Sequence, residues 1–443
     1  MKLKLKNIAG SGTSEIELNG ITIVAGENNV GKSTIGKSLY SVFEGLNNYK
    51  ENLEMQKKAA LNTFFNKLFS KQDSNGAGSR NIFVNINSFV EKFCDQVEND
   101  QNKRVLFDQK NNLTATKSFV NNFFEMFFTG IENIPEYAKV DISNEDCASL
   151  LAIINVSETD GIKQILSDIL RSEFHDQIND ISENNHGKAI ISLEVDDQTL
   201  EIQITNNRVT NINNLFNLNH SIEYIDDPFA LDNVSLGYLR PKRDKNRHEN
   251  KLIRSLAKNN EKNVIEQVAV DQRLKPIFKQ INLVADGELQ INTAPFNRSC
   301  QYVKAGQATS LNIGNTSAGL KPFIILKTLL ENGSLENDGV IILDEPEIHL
   351  HPEWQIKLAE VIVLIQKTFN MKILLTTHSP YFIEAIEVFS AKYHVSTKYY
   401  LADMDKDTDE RTVEDVSDNI EKIYAKLAQP LQELENLRSK YEN

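Results

Sequence analysis

Apolar and polar positions fall into three patterns along this chain, and each predicts a different kind of element. Leu3, Leu5 and Ile8 mark a first short strand, Glu15 to Leu18 alternate charged and apolar residues as a second, and Ile21 to Ala25 is an unbroken apolar run. Alternation suits a strand with one wet face, whereas an unbroken run suits a strand covered on both faces. A glycine-rich turn and a helix beginning near Ser33 follow. From 48 to 187 the chain becomes polar and Asn-rich, with Phe119, Phe123, Phe124, Phe127 and Phe128 at helical spacing. That pattern predicts a helical insertion whose aromatic stripe packs a core. Alternation returns at 188–205 around Asp196-Asp197 as a hairpin, and short strands are expected at 288–293, 301–304 and 309–313. A compact α/β run comes next: helix from about 318 to 331, strand 339–343, helix 352–369, strand 372–376, then a strand near 398–402.

The tail, 416–443, carries Val416, Ile420, Ile423, Leu427, Leu431, Leu434 and Leu437 at spacings of three and four. This is one apolar helix face, which Pro430 is expected to kink or split. It serves either packing on its own chain or a partner helix. The fold class expected is α/β, a mixed sheet assembled from 1–47 and 188–415, with the insertion between them.

Three apolar strands end in chemistry. The turn after Ala25 reads GENNVGKS and fits G-x-x-x-x-G-K-[ST]. Its glycines let backbone N–H groups curl toward phosphate oxygens, Lys32 would reach the β- and γ-phosphates, and Ser33 would hold Mg²⁺. The candidate nucleotide-binding residues are Gly26, Asn28, Asn29, Gly31, Lys32, Ser33 and Thr34. The competing reading, a glycine turn with an incidental lysine, fits poorly with a buried strand leading in and a helix leading out. The run Val340 to Leu343 ends in Asp344 and Glu345. Asp344 would lie where Mg²⁺ sits beside the phosphates, and Glu345 could polarise an attacking water. A third buried strand ends in Thr376, Thr377 and His378, a histidine that either contacts a γ-phosphate or is a satisfied structural group.

On these residues the sequence resembles an ABC-type P-loop ATPase head of the SMC, RecF and OLD kind. More narrowly, it resembles the small prokaryotic ATPases of antiphage systems such as Septu, PARIS and certain retrons. The matching stretches are KNIAGSGTSEIELNGITIVAGENNVGKST, NTSAGLKPFIILKTLLENG, VIILDEPEIHLHPEWQ and ILLTTHSPYFIEAI. The resemblance implies ATP and Mg²⁺ as cofactors. It also implies a signature segment from Asn315 to Lys321, in which Ser317 and Gly319 complete the site of a second subunit, hence a homodimer or higher homo-oligomer. A helix N-cap at Thr316 or Ser317 is the plainer reading of that segment. His349 and His351 fall in the loop that the resemblance places at the dimer interface, which argues against a metal pair. The glutamine such heads place between the first two motifs has no clear counterpart, and Tyr224 to Pro228 is a weak candidate for that region.

Composition narrows the function. Of 443 residues, 48 are Lys or Arg and 62 are Asp or Glu, so the net charge of −14 disfavours non-specific polyanion binding. Against that background, the segment Arg240 to Lys258 stands out as basic, either a contact for nucleic acid or an acidic partner, or a solvated helix face. Asp403, Asp405, Asp407 and Glu414 are spaced like a calcium loop, but Thr408 occupies the position that needs glycine, and an acidic hairpin tip fits better. Cys94, Cys147 and Cys300 suggest neither a disulfide scaffold nor a zinc site. No apolar run is long enough for a membrane span, so a cytoplasmic protein is expected. The stretch after His378 is shorter than the roughly one hundred residues of a nuclease domain, so any effector is expected to be separately encoded. Three functions remain open: a defence ATPase that holds a nuclease or toxin effector, a RecF-like ATPase that clamps duplex DNA, and a nucleotide-gated scaffold without significant hydrolysis.

Overall fold

The computed structural model describes residues 1–73, 85–99, 113–128, 142–179, 188–234, 247–258, 264–292, 299–306, 309–405 and 410–441. They form two compact units: Met1–Asn47 with Lys163–Asn443, and Asn48–Ile162. The strands, in chain order, are β1 (Lys2–Ile8), β2 (Ser11–Glu17), β3 (Ile21–Ala25), β4 (Ala189–Val195), β5 (Gln198–Thr205), β6 (Arg208–Asn213), β7 (Ile222–Ile225), β8 (Glu288–Asn292), β9 (Ser299–Val303), β10 (Ser310–Asn312), β11 (Val340–Asp344), β12 (Lys372–Thr377), β13 (Thr397–Met404) and β14 (Arg411–Asp415). The helices are α1 (Lys32–Leu46), α2 (Tyr49–Asp73), α3 (Ile86–Asn99), α4 (Leu113–Phe128), α5 (Asn144–Ile154), α6 (Glu158–Glu173), α7 (Arg247–Leu256), α8 (Val264–Ile281), α9 (Lys321–Glu331), α10 (Pro352–Phe369), α11 (Pro380–Tyr393) and α12 (Glu421–Tyr441).

The first unit is built on an 11-stranded mixed sheet of order β6-β5-β4-β1-β2-β14-β13-β3-β12-β11-β7. One arm, β6-β5-β4-β1-β2, is antiparallel, and β1 alternates buried and exposed residues as a half-wet strand should. The other arm, β13-β3-β12-β11-β7, is parallel, and β3, β11 and β7 are buried at every position. Helices α8 to α11 supply the apolar cover, with Ile21, Ile23, Ile341, Leu343, Ile373 and Leu375 at the centre of one cluster. The register of the parallel arm pairs Ala25 with Thr377, Asp344 with Thr376, and Leu343 with Ile225. Four strands therefore end at one level. In an open α/β sheet this carboxyl edge is where ligands bind.

The second unit is helical, as its pattern predicts. Phe65, Phe89, Phe93, Phe119, Phe123, Phe124 and Phe128 are buried together. Phe65 meets Phe89 edge-on at 4.9 Å, and Phe89 meets Phe123 at 5.1 Å and Phe127 at 4.8 Å. The aromatic stripe is thus core.

Several expectations change. The compact second unit ends at Ile162 rather than 187. The latter half of α6 packs in the first unit, where Ser167 Oγ accepts from Val209 N at 2.9 Å and Leu166 lies against Gly45. The helix expected from about 318 begins as a 3-10 turn, Ala318–Leu320, and becomes α-helical at Lys321, with Pro322 in its first turn. A single helix, α12, runs through Pro430, whose exposed position lets the carbonyl it leaves unpaired meet water. The tail's two halves behave differently. Ile423 is buried and Leu427 packs on the core, whereas Leu431, Leu434, Leu437 and Tyr441 are 67%, 61%, 48% and 78% exposed. Asp403, Asp405 and Glu414 belong to the β13–β14 hairpin, and Lys426 and Lys422 pair with Asp403 and Glu414 at 2.9 and 2.5 Å. Asp407 and Thr408 lie outside the described residues. The acidic hairpin expected there is the β13–β14 pair, whereas sequence pattern missed β6, β7, α7, α8 and α11. Among the described residues, no helix is long and apolar enough to cross a membrane.

One buried charge makes stability depend on pH. Glu223, inside β7, accepts from Ser255 Oγ at 2.7 Å through one oxygen, while the other has no hydrogen-bond partner among the described residues. Burial pushes its carboxyl up from 4.5 to about 7. A raised folded value favours the protonated form, so the contribution is complete below about 4.5 and lost as the pH rises through about 7. Glu223→Gln should be neutral near pH 4.5 and stabilising by roughly 3 kcal/mol above pH 8, at 1.36 kcal/mol per unit. Urea unfolding of both proteins across this range checks it; a difference that stays flat with pH would show that Glu223 titrates normally.

Candidate active site

The turn from β3 into α1 has the backbone a phosphate loop needs. Asn29 and Gly31 take positive φ of 68° and 91°, and a Cβ at Gly26 would stand 2.2 Å from the carbonyl oxygen of Ala402. Glycine is therefore required at Gly26 for space and favoured at Gly31 for conformation. Ser33 and Asn28 are exposed, and Thr34 opens the helix with its N–H on Gly31 O at 3.1 Å.

Lys32 is only 4% exposed. Its ammonium donates to Gly26 O at 2.9 Å and Glu27 O at 2.8 Å, and lies 3.0 Å from Glu345 Oε1. An ammonium has three N–H donors, and here all three have acceptors. A buried cation would otherwise carry a large desolvation cost. Any phosphate arriving at the loop must replace these partners.

Strands β11 and β12 supply the acidic side. Asp344 ends β11 buried, its Oδ2 accepting from Tyr224 OH at 2.9 Å and its Oδ1 from the Thr376 hydroxyl. Glu345 follows with φ 49°, a conformation costing a non-glycine residue about 1–3 kcal/mol. Its N–H is held by Thr376, 3.1 Å from both the carbonyl and hydroxyl oxygens. His378 Nδ1 lies 3.4 Å from Glu345 Oε2. The hydrogen bond with His378 does most to hold the Glu345 carboxyl down at about 2; burial opposes this, and Lys32 reinforces it. The same contact raises His378 above its ordinary value.

The chain around this site has known relatives. A family model described as AAA ATPase domain matches residues 1–383. The chain belongs to the AAA ATPase domain family. It is 30% identical over 190 residues to a retron Vc95 probable ATPase of Vibrio cholerae serotype O1 biovar El Tor, covering 39% of this chain and 36% of that protein. It is 39% identical over 51 residues to the Septu protein PtuA of Bacillus thuringiensis, covering 12% of each. The matched stretches thus span well under half the length of these curated relatives. The SMC head domain from Thermotoga maritima aligns over 94% of this chain and 98% of that one, at 12% identity and a TM-score of 0.37. A score that low adds nothing to the fold, which rests on the sheet topology.

The remaining candidates of this AAA ATPase domain sort clearly. Lys32, Glu345, His378 and Asp344 come together at the carboxyl edge. Ser317 and Gly319 do not join them: neither has a hydrogen bond or ion pair to the phosphate loop among the described residues. Ser317 is exposed and its side chain caps no helix, while the Thr316 hydroxyl donates to Ile313 O at 2.7 Å. Ser317 thus holds the N-cap position of the 3-10 turn through its carbonyl, which accepts from Leu320 N at 3.0 Å, and not through its side chain. A Cβ on Gly319 would press on Trp354 at 3.1 Å. His351 is the N-cap of α10, its Nδ1 accepting from Glu353 N at 3.4 Å. No cluster of three or more His, Cys, Asp or Glu suited to a metal occurs among the described residues. The chemistry of Ser33 and Asp344, one hydroxyl and one carboxylate, still suits Mg²⁺, which keeps waters and substrate phosphates as its other ligands.

Sequence reasoning missed three contributors. Glu347 is buried and accepts from the Thr377 hydroxyl and from His378 N at 3.2 Å, so it anchors the histidine's backbone; burial raises its carboxyl. Arg411, on β14, donates to Ala9 O at 2.8 Å and to Asn29 Oδ1 at 3.2 Å, which puts a cation beside the phosphate loop. Tyr224 was noticed only as part of a weak candidate stretch. Glu347 lies within the VIILDEPEIHLHPEWQ stretch, but no motif predicts the contacts of these residues, because each crosses between distant segments.

Lys32→Ala should abolish nucleotide binding, since the loop loses the only buried ammonium among its described residues. Titration with a fluorescent ATP analogue checks this; retained affinity would remove the loop as the binding site.

Proposed function

We propose that this chain binds ATP with Mg²⁺ and hydrolyses it at the interface of a homodimer, as sensor and scaffold of an antiphage defence system controlling a separately encoded nuclease or toxin. The observation that carries hydrolysis is the meeting of Lys32, Glu345 and His378 at the ends of three parallel strands. Lys32, Ser33 and Thr34 would bind the phosphates, with Ser33 and Asp344 holding Mg²⁺, which would supply charge neutralisation at the phosphates. As it stands, Glu345 is a poor base because His378 and Lys32 hold its proton affinity down. A γ-phosphate drawing Lys32 and His378 onto its own oxygens would release Glu345 to accept a proton from water. The base is thus masked until substrate arrives.

The homodimer is supported by Ser317, whose exposed side chain makes no capping hydrogen bond among the described residues and so suits a γ-phosphate held by a second copy. The defence role is supported by the motif resemblance and by the retron and Septu relatives. The exposed second half of α12 offers a surface for an effector. Clamping of DNA draws on the basic segment, whose residues 240–246 lie outside the described residues. Its described part is a packed helix, with Leu252, Ile253 and Leu256 buried and Lys251 committed to Glu44 at 2.6 Å.

Glu345→Gln should lower turnover about 10²–10⁴-fold, the usual range for a general base, while ATP stays bound and the dimer persists. Unchanged turnover would sink the assignment of the base. Tagged Glu345→Gln protein purified from its native operon with ATP·Mg²⁺ should carry a stoichiometric second protein by native mass spectrometry. A bare dimer, or a dimer with DNA, would overturn the effector-scaffold reading.

A further inference from the structure

Beneath Asp344 lies a buried charged cluster that none of the site motifs contains. His248, in the first turn of α7, is 1% exposed. Its Nδ1 is 2.5 Å from Glu173 Oε2 and its Nε2 is 2.9 Å from Asp226 Oδ2, while its backbone N–H donates to Glu173 Oε1 at 3.1 Å. Both ring nitrogens face carboxylate oxygens, the arrangement that an imidazolium, a donor at both nitrogens, satisfies on both sides. Burial alone would lower its pKa, but the hydrogen bonds to Asp226 and Glu173 prevail and raise it to about 9. The imidazolium is stacked on Tyr224 at 4.4 Å and 27°, with Tyr40 edge-on to it at 5.8 Å. A cation on an aromatic face is attracted by the ring quadrupole. The ring it holds is the one whose hydroxyl donates to Asp344 Oδ2. Gly36, one turn beyond Ser33, leaves room for that hydroxyl: a Cβ there would stand 3.2 Å from it.

We propose that His248 is a positioning residue of the ATPase site: clamped between Glu173 and Asp226, it fixes Tyr224, and Tyr224 orients the Asp344 carboxylate toward Mg²⁺. This rests on the reading of Asp344 as the carboxylate that orders the metal. Hydrogen-bond partners of a metal-ligating carboxylate set its orientation, and their removal commonly costs 10–100-fold in metal affinity. The clamp has a structural reason as well. Glu173 is fully buried at the end of α6, and a carboxylate there needs a cation. His248 meets that need and at the same time presents its face to Tyr224.

The test is the Mg²⁺-dependent gain in nucleotide affinity of the full chain, measured as the ratio of Kd in EDTA to Kd at saturating Mg²⁺ with a fluorescent ATP analogue. His248→Gln and Tyr224→Phe should each shrink that gain about tenfold and leave the Kd in EDTA unchanged. The double variant should be no worse than either single one, because both act through one hydroxyl. Asp344→Asn is the control for the underlying reading. If it loses the gain while both relay variants keep it, the relay is wrong and the metal assignment stands. If Asp344→Asn also keeps the gain, the metal assignment itself falls. Should His248→Gln fail to fold, Asp226→Asn, which loosens the clamp at His248 Nε2, should shrink the gain in its place, and a gain left intact there would overturn the clamp while Tyr224→Phe tests the hydroxyl link by removing a single oxygen.

Discussion

The parallel pairing of β3, β12, β11 and β7 in one register is the constraint on which the rest of this molecule depends. It brings Ala25, Thr377, Asp344 and Ile225 to the same level, so the residues that follow them share one edge although they are separated by up to several hundred positions in the chain. Strand ends leave backbone groups without ladder partners. Here Gly26 N is taken by Thr377 O at 3.3 Å and Glu345 N by Thr376, which stitches the loops together before any ligand is considered. Slipping one strand by a residue would separate Asp344 from Thr376 and turn its side chain to the other face.

On that edge each charged group has a partner, although Glu347 Oε2 is buried without a hydrogen bond among the described residues. Lys32 and His378 stand against Glu345, the Thr376 and Thr377 hydroxyls serve Asp344 and Glu347, and Tyr224 takes the second oxygen of Asp344. A buried cation or carboxylate without partners would cost several kcal/mol. Under the proposed function, the groups that satisfy Lys32 are the ones a phosphate would displace. Glu345 sits at a positive φ among them, so some backbone strain is held where the exchange would occur.

The second unit and the tail follow simpler physics. The insertion is stable as a cluster of phenylalanine rings in mutual edge contact, a geometry that adds about 0.5–1.5 kcal/mol per pair beyond burial. The tail begins anchored through Ile423 and the Lys426–Asp403 pair, then presents its leucines to solvent beyond Pro430.

What the sequence determined by itself was local. Apolar runs mark β3, β11 and β12 because a doubly covered strand must be apolar throughout, and the phosphate loop is legible because its glycines and lysine are contiguous. The family and the fold class were readable from those stretches, and Lys32, Asp344, Glu345 and His378, which the same stretches marked, lie together at the carboxyl edge. Short strands such as β6 and β7 were not readable, since four to six residues carry too little periodicity to distinguish strand from loop. Only tertiary structure decided what satisfies each charge. Glu347 beneath His378, Arg411 beside Asn29, and His248 stacked on Tyr224 are contacts between segments tens to hundreds of residues apart. Pattern along a chain cannot express them, because which polar groups meet, and which charges are buried and need a partner, is decided only once the chain has folded.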